Sequence, residues 1–503
     1  LCMVLLLGIY TPVYADETAS VEDVREDTAA DASAAGTDPD GTDGSVSELE
    51  QEMKAQADNQ EQTAQAVLEE NEEGGAALAA ATQDTGFTVT DTYGNVLKEY
   101  VRGNVHYIFA TKDVDFSSAV VQCKNTLVSV PDGFTIAADG FSFSGVFTSG
   151  AKLALNFADG SSADFCMMQS SLPSLCITLN GTTLSTIQQD KNIKYPGNSL
   201  TLSEDAASGA GFLQLKNSVE IKGRGNTSWA SWPKKGYQLK FDKKQSVLGM
   251  EKAKKWVLLP YSTDISLMQD KLASDLSSAL EMSATCDCRY VDFWVDGEYL
   301  GNYLVSEKVE PGNGRVNLED SNGVICERDD VYYGDETYWY KDDATGAYYT
   351  RKETNNDDET DLTGFNDFTS SLTDFEKRII AGGSSMSYDE LSKYIDVESF
   401  AKVYLLEEFC GNVESTVSSF FLYKDGTGDV IHAGPVWDFE GGMQVRADGN
   451  FGTWYFAKND SIYRYLFQNP AFSLAVKQIY EKYSDAFKNM QAEVDTLYPE
   501  IKD

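Results

Sequence analysis

The spacing of apolar and polar residues divides this chain of 503 residues into stretches of different character. Residues 1–15 are mostly apolar, and residues 16–84 contain no aromatic side chain. From residue 85 to about 170, short alternating runs are separated by Gly, Asn and Asp, which predicts strands joined by turns. From residue 171 to 503, such strands mix with stretches of helical period. The pattern predicts an α+β body preceded by a small all-β, sandwich-like domain and a disordered acidic N-terminal segment.

Individual elements follow from the same periodicities. Helices are predicted near 265–280, at 365–380, at 397–409 with Asp396 as N-cap, and from 461 onward; strands are predicted at 420–423 and 430–436. Asp296-Gly297 predicts a two-residue hairpin turn. Residues 327–365 are polar and rich in Tyr and Asp, which predicts a long loop or a hairpin insert.

Residues 1–15 have the pattern of a secretory signal peptide. A short apolar run is followed by Val13-Tyr14-Ala15, a small-residue cleavage site. The run is too short to span a membrane, although a buried N-terminal strand is an alternative interpretation. The chain lacks an initial Met and a basic leader, which suggests a truncated start. We therefore expect a secreted or cell-surface protein with no membrane span in the mature chain.

The net charge of −40 bears on both the N-terminal segment and the class of ligand. Residues 16–84 carry 20 Asp and Glu against only Arg25 and Lys54, and so contribute −18 of it. Such a segment cannot bury enough apolar surface to order itself, which predicts a solvated linker. An acidic body also argues against general nucleic-acid binding, because neutralising phosphates requires a basic face. A local basic pocket is compatible with this charge.

Cysteine and histidine exclude several site types. Seven cysteines follow Cys2, an odd and sparse set that predicts no disulfide framework, and we expect mainly free, partly buried thiols. Cys286-x-Cys288 lacks the further ligands of a zinc site. Only His106 and His432 are present, so His-rich metal sites and most Ser/His/Asp triads are excluded unless His432 serves, and its place in an apolar strand favours a core histidine. A glycosidase using paired carboxylates has only the abundance of Asp and Glu in its favour.

The best-defined candidate for a functional site follows the apolar run 431–436. Asp438 and Glu440 flank Phe439, and at a strand end both carboxylates would point the same way. Two such oxygen ligands can hold Mg²⁺ or Ca²⁺. The sequence therefore suggests a site for a hard divalent cation here.

Three other stretches offer groups that suit phosphate chemistry. In 221–229, two glycines surround Arg224, whose guanidinium suits phosphate or carboxylate. The predicted strand 233–241, which carries several lysines, follows. An ordinary hairpin with exposed lysines would have a similar sequence. Lys308 ends a predicted strand and is either a surface residue or a nucleotide contact. Asn412 and Glu414 leave a helix about twenty residues before Asp438, which is how a phosphotransferase places its base near its metal.

Together these stretches resemble the CotH kinase family, the spore-coat protein H-like secreted kinases, over roughly residues 172–490. The resemblance rests on ordered blocks: Lys222-Gly223-Arg224-Gly225-Asn226-Thr227-Ser228-Trp229, Pro233-Lys234-Lys235-Gly236-Tyr237, Leu248-Gly249-Met250 with Lys255-Trp256-Val257-Leu258-Leu259, Leu267-Met268-Gln269-Asp270-Lys271-Leu272-Ala273, Gly297-Glu298-Tyr299-Leu300-Gly301, Asn412-Val413-Glu414, and Gly434-Pro435-Val436-Trp437-Asp438-Phe439-Glu440. It implies an atypical, two-lobed protein-kinase-like domain. It also implies a bacterial transferase that moves the γ-phosphoryl group of ATP, with Mg²⁺ or Mn²⁺, to Ser or Thr of extracellular or spore-surface proteins.

The resemblance also implies roles for individual residues. Asp438 would bind the metal with Glu440 as a possible second ligand, and Glu414 occupies the place of the catalytic Asp. The nucleotide-binding candidates are Arg224, Lys240, Lys308 and Asn412.

Two positions depart from the family's usual pattern. The family usually has Asp where this chain has Glu414, and Asp-x-Asp where it has Asp438-Phe439-Glu440. One added methylene moves a carboxylate by about 1.5 Å, and a misplacement of about 1 Å can cost roughly a hundredfold in rate. The alternative to an active kinase is therefore a catalytically reduced surface-binding or scaffold protein of the same fold.

Overall fold

A computed structural model describes residues 86–203, 212–261, 264–443 and 455–502. The predicted signal peptide (1–15) and acidic linker (16–84) lie outside these residues. The architecture is mixed α+β, as predicted, with several sheets and a set of helices concentrated after residue 360. Within the described ranges, no helix is both long and apolar enough to cross a membrane.

The N-terminal part contains two five-stranded sheets, with orders β2-β1-β5-β8-β7 and β3-β4-β10-β9-β6. Its strands β1 to β10 are Thr88–Thr90, Val96–Leu97, Glu99–Arg102, Val105–Phe109, Val120–Gln122, Leu127–Ser129, Phe134–Ile136, Ser142–Gly145, Lys152–Phe157 and Ser162–Met168. Buried side chains from both sheets, among them Val89, Phe143 and Phe165, form one cluster. Trp294 from the next part of the chain joins that cluster, so the two parts share apolar contacts.

The chain then forms a closed seven-stranded barrel of order β11-β12-β13-β14-β15-β17-β16. Strands β11 to β17 are Ser174–Thr178, Tyr195–Ser203, Leu213–Arg224, Gly236–Gln245, Ala253–Leu259, Cys288–Val295 and Glu298–Glu307. Alternate residues such as Val219, Ile221 and Leu239 fill the interior, because successive side chains of a strand point to opposite faces. The interior is thus a packed core, and any ligand site must lie outside it or at its rim.

The last part is a five-stranded sheet of order β19-β20-β18-β21-β22 covered by helices. Strands β18 to β22 are Val324–Arg328, Trp339–Lys341, Tyr348–Thr354, Phe420–Lys424 and His432–Ala433.

The helices of the described residues are numbered through the whole chain. Helices α1 to α10 are Leu184–Ile187, Thr227–Ser231, Gln269–Ala279, Thr363–Gly382, Tyr388–Leu391, Val397–Cys410, Phe456–Asn459, Tyr463–Leu466, Pro470–Lys488 and Met490–Ile501, with 3₁₀ turns at Tyr333–Asp335, Gly383–Ser385 and Val413–Thr416.

The outer face of the barrel packs against this helical part. Val257, Leu259 and Leu304 point out of the barrel into the same buried cluster as Leu272 of α3 and Phe400 of α6. This explains why β15 is continuously apolar at its end, since both of its faces are buried.

Several predicted elements are confirmed with adjusted ends. Asp396 caps α6, accepting from the backbone N–H groups of Glu398 and Ser399. Asp296 and Gly297 form the turn between β16 and β17, with φ of +49° and +76°. The excursion at 327–365 is a hairpin, β19–β20, which joins the sheet through β18. All seven described cysteines are buried and free.

Candidate functional site

A cavity of about 640 Å³ lies between the outer face of the barrel and the last sheet. Its size falls in the usual range of small-molecule sites. Of the predicted site residues, five contribute to its lining: Arg224, Lys308, Glu414, Asp438 and Glu440. These residues come from four stretches far apart in the chain, so the fold brings most of the predicted site together.

The two remaining predicted residues lie elsewhere. Lys240 is exposed on β14 and is not among the described residues that line the cavity, whereas Gln238 of the same strand is. Asn412 is fully buried behind the cavity, where its Nδ2 donates to the backbone O of Asp438 at 3.2 Å. The structure therefore does not bring Lys240 to the cleft, and it gives Asn412 a supporting position.

Arg224 is the last residue of β13, and two glycines determine how the chain leaves it. A Cβ on Gly223 would lie 2.4 Å from the ring of Trp229, and Gly225 adopts a φ of +109°. The strand can therefore turn directly into the short helix α2. The guanidinium of Arg224 lies 5.3 Å from the centre of the Trp437 ring, across the cleft.

Asp438 does not sit at a strand end, contrary to the prediction. Strand β22 ends at Ala433, and the chain then runs irregularly to Asp438, whose φ is +64°. This left-handed conformation is uncommon for a residue other than glycine, and such residues concentrate at functional sites. Ser419 Oγ lies 3.4 Å from Asp438 Oδ2 and donates to it.

Asp270 is a site residue that the sequence reasoning did not single out. It lies in the first turn of α3, and its Oδ1 accepts from the backbone N–H of Phe439 at 2.7 Å. Phe439 itself is buried, which fixes the segment between Asp438 and Glu440. The sequence could have indicated Asp270 only through the block 267–273. That block supported the family resemblance, but no function was assigned to any of its residues.

Four carboxylates, those of Asp270, Glu414, Asp438 and Glu440, face a common region of the cleft. Burial raises the pKa of Asp270 well above its usual range, and the charges of Glu440 and Asp438 raise it further. Burial and the same two charges, with that of Asp270, raise the pKa of Glu414 to about 8. Burial also raises the pKa of Asp438, although Arg224 opposes the shift. The cleft thus gathers carboxyl groups whose charged forms are disfavoured, and Arg224 opposes this shift only at Asp438.

A second polar network, which no sequence pattern predicted, borders the cleft. Lys352 of β20 pairs with Glu327 of β18 at 2.7 Å and with Glu336 at 2.6 Å. Glu327 Oε1 also accepts from the backbone N–H of Ser419 at 3.0 Å, and Ser419 contacts Asp438. Lys308, on the barrel side, forms an ion pair with Glu353. These contacts link the hairpin of the excursion to the acidic segment.

The donor set of the cleft fits a hard divalent cation. Carboxylates and a serine hydroxyl are the oxygen ligands that Mg²⁺ and Mn²⁺ take. Burial, and for Asp270 and Glu414 the neighbouring carboxylates as well, disfavours the charged forms of these groups, and a bound cation would favour them. As the side chains stand, no group of three His, Cys, Asp or Glu among the described residues is arranged to hold a metal ion. Binding would therefore require carboxylates to turn toward one another.

Comparison with known proteins gives one family. The family model described as "CotH kinase protein" matches residues 221–503, which is more than half of the chain and includes every lining residue discussed above. No curated protein matches the chain.

Proposed function

Because this chain belongs to the CotH kinase family, we propose that it is a secreted protein kinase that transfers the γ-phosphoryl group of ATP to Ser or Thr of extracellular proteins. The observation that carries the proposal is the convergence of Arg224, Lys308, Glu414, Asp438 and Glu440 on one cleft. A kinase-like function follows from the family, whereas the nucleotide, the acceptor and secretion are parts of the proposal. On this proposal the barrel corresponds to the smaller lobe and the helical part to the larger one.

The lining offers the groups that phosphoryl transfer needs. Catalysis in kinases is chiefly positioning and neutralisation of phosphate charge. Arg224 and Lys308 stand on the barrel side, and Lys352 stands on the sheet side, so cations border the carboxylates from both walls. A divalent ion, when bound, would supply further positive charge to the phosphates, and Asp438, Glu440 and Asp270 are the residues that would hold it.

Glu414 is the candidate base. It lies on the 3₁₀ turn after α6, and Asn412 two residues earlier ties this turn to the backbone of Asp438. Ser419 stands five residues after Glu414, the spacing at which protein kinases carry a metal-binding Asn. A serine hydroxyl is also an oxygen ligand. Ser419 could therefore take the place of that Asn, although its side chain is shorter.

The test is transfer of labelled phosphate from ATP, with Mg²⁺ or Mn²⁺, to an unfolded Ser-containing protein or to the chain itself. We expect Asp438→Asn to lower the rate at least about a hundredfold, because removing one preorganised charge contact costs that much in comparable sites. Lys240→Ala is the matched control and should keep the wild-type rate, since Lys240 lies outside the cleft.

The outcomes separate the proposal from the scaffold alternative. If the folded wild-type protein binds ATP but transfers no phosphate with either metal, the protein is a nucleotide-binding scaffold and the kinase proposal fails. A large rate gain in Glu414→Asp would show that the longer side chain has displaced the base. An unchanged rate in Asp438→Asn would contradict the assigned site.

A further inference from the structure

Strand β19, Trp339–Lys341, forms an edge of the last sheet and pairs only with β20 among the described strands. Arg351 N donates to Tyr338 O and Asp342 N donates to Ala347 O, both at 2.9 Å, so these positions face β20. Because hydrogen-bonding groups alternate along an antiparallel strand, the backbone groups of Trp339 and Lys341 point away from the sheet. They are available to pair with another strand.

A groove runs beside this edge. A cavity of about 250 Å³ lies between β19 and the first turns of α4, with Tyr338, Tyr340, Leu362 and Phe365 in its lining. Every residue that lines it is uncharged. The chain as a whole contains 80 acidic residues, so an uncharged groove of this kind favours uncharged side chains in its occupant.

The opposite face of β19 carries an aromatic cluster. The rings of Tyr333 and Tyr348 stack with centres 3.7 Å apart, and Trp339 packs against Tyr348 at 5.8 Å. Trp339 remains 47% exposed. A strand added along β19 would alternate its side chains between this cluster and the groove, so both of its faces would meet aromatic side chains.

The groove and the cleft have consecutive residues of the chain in their linings. Glu336 lines the cleft and its neighbour Thr337 lines the groove. Tyr332, also in the cleft lining, hydrogen-bonds through its hydroxyl to Thr227 Oγ1 at 2.6 Å, which brings the barrel and the excursion together at this end. A chain that pairs with β19 would therefore emerge beside the cleft.

We propose that β19 and the groove dock the polypeptide acceptor by strand addition, holding an extended, uncharged segment next to the Ser or Thr that enters the cleft. The proposal rests on the proposed kinase function for the identity of the occupant. Backbone hydrogen bonds to Trp339 and Lys341 would supply affinity, and the alternate side chains would supply selectivity.

Docking can be measured without catalysis. The probe is a synthetic peptide of alternating Thr and Val followed by Gly-Ser-Gly, added to the full-length Asp438→Asn protein. We expect it to slow amide hydrogen exchange at Trp339 and Lys341. The same peptide N-methylated at alternate residues should not, because methylation removes the hydrogen-bonding N–H groups.

A matched pair of variants tests the edge itself. Lys341→Pro removes an N–H that points away from β20, a position where edge strands tolerate proline, whereas Lys341→Ala keeps it. In the wild-type background we expect Lys341→Pro to raise KM for the peptide about tenfold, with kcat and KM for ATP unchanged, since a lost hydrogen bond and the added ring together cost about 1.4 kcal/mol. Lys341→Ala keeps the N–H and should raise KM for the peptide much less than Lys341→Pro does.

Each outcome decides one question. Peptide-dependent protection without any phosphate transfer would support the docking site and contradict the kinase function. Transfer to the peptide with no protection, or with equal KM in the proline and alanine variants, would overturn the docking proposal. Protection that depends on protein concentration rather than on peptide would also overturn it, because the edge would then pair with a second copy of the chain.

Discussion

The carboxylates of the cleft and the buried ion pair behind it, Arg328 with Asp460, show opposite arrangements of charge. In the cleft, burial raises the pKa values of Asp270, Glu414 and Asp438. Neighbouring carboxylates raise those of Asp270 and Glu414 further, whereas Arg224 lowers that of Asp438. Behind it, Arg328 and Asp460 form an ion pair at 2.7 Å with both side chains fully buried. The cleft brings groups of like charge together, whereas the buried pair joins opposite charges.

The difference identifies which region is built for stability and which for function. Arg328 also donates to the backbone O of Ser415 and to Ser461 Oγ, so its charge and hydrogen bonds are largely satisfied. It ties the turn that carries Glu414 to the start of α8. The cleft leaves its repulsion in place, and a protein keeps such a local conflict chiefly where a ligand relieves it.

The largest effect should come from breaking the buried pair. Arg328→Met would leave Asp460 buried without a counter-charge, and we expect a loss of about 3–5 kcal/mol in the free energy of unfolding. Chemical denaturation monitored by tryptophan fluorescence measures it. Arg328→Met combined with Asp460→Leu is the control, because removing both charges should recover much of the loss. Equal destabilisation in the double variant would mean that packing and the lost acceptor Asp460 Oδ1, which binds the N–H groups of Ile462 and Tyr463, outweigh charge.

A smaller effect of opposite sign is expected in the cleft. Asp438→Asn removes a buried carboxylate whose charge also disfavours those of Asp270 and Glu414, and in EDTA at neutral pH it should raise the free energy of unfolding by about 1 kcal/mol. Adding Mg²⁺ should reverse the order, since an ion at a hundred times its Kd stabilises the wild type by roughly 2.7 kcal/mol. Thermal unfolding with and without Mg²⁺ gives both values. If the variant is less stable in EDTA as well, the charge conflict inferred here is absent.

An effect of about the same size is expected at His432, a half-buried histidine between two carboxylates. His432 contacts Asp396 at 3.1 Å and Asp429 at 3.3 Å and stacks on Tyr423. Burial lowers the pKa of His432, but Asp396 and Asp429 outweigh burial and raise it above its usual value.

Because the folded pKa is raised, the stabilisation is complete below the unfolded value of about 6.5 and disappears as the pH rises through the folded pKa. His432→Gln should therefore be less stable than the wild type by about 1 kcal/mol near pH 5.5, and the two proteins should converge near pH 9. Urea unfolding at both pH values measures the difference. A gap that does not change with pH would assign the effect of His432 to packing on Tyr423.

Local patterns predicted the parts of the molecule whose structure is decided locally. The cap at Asp396, the turn at Asp296-Gly297 and the α+β composition depend on neighbouring residues, and each was confirmed. Lys240 shows where this reasoning fails, because alternation along β14 tells which residues share a face and not how far the cleft extends along it. Gln238, on the same face, reaches the cavity.

The sequence by itself determined the family and named Asp438, Glu414 and Arg224, because short ordered blocks preserve chemistry wherever they lie in space. Tertiary structure alone added Asp270 and Lys352 to the cleft, since both are ordinary surface-type residues until α3 and β20 carry them there. It also decided that Asp438 lies in a left-handed turn rather than at a strand end. The physical reason is that charge repulsion, burial and strand edges depend on distances between segments, which closure of the barrel and packing of the last sheet establish.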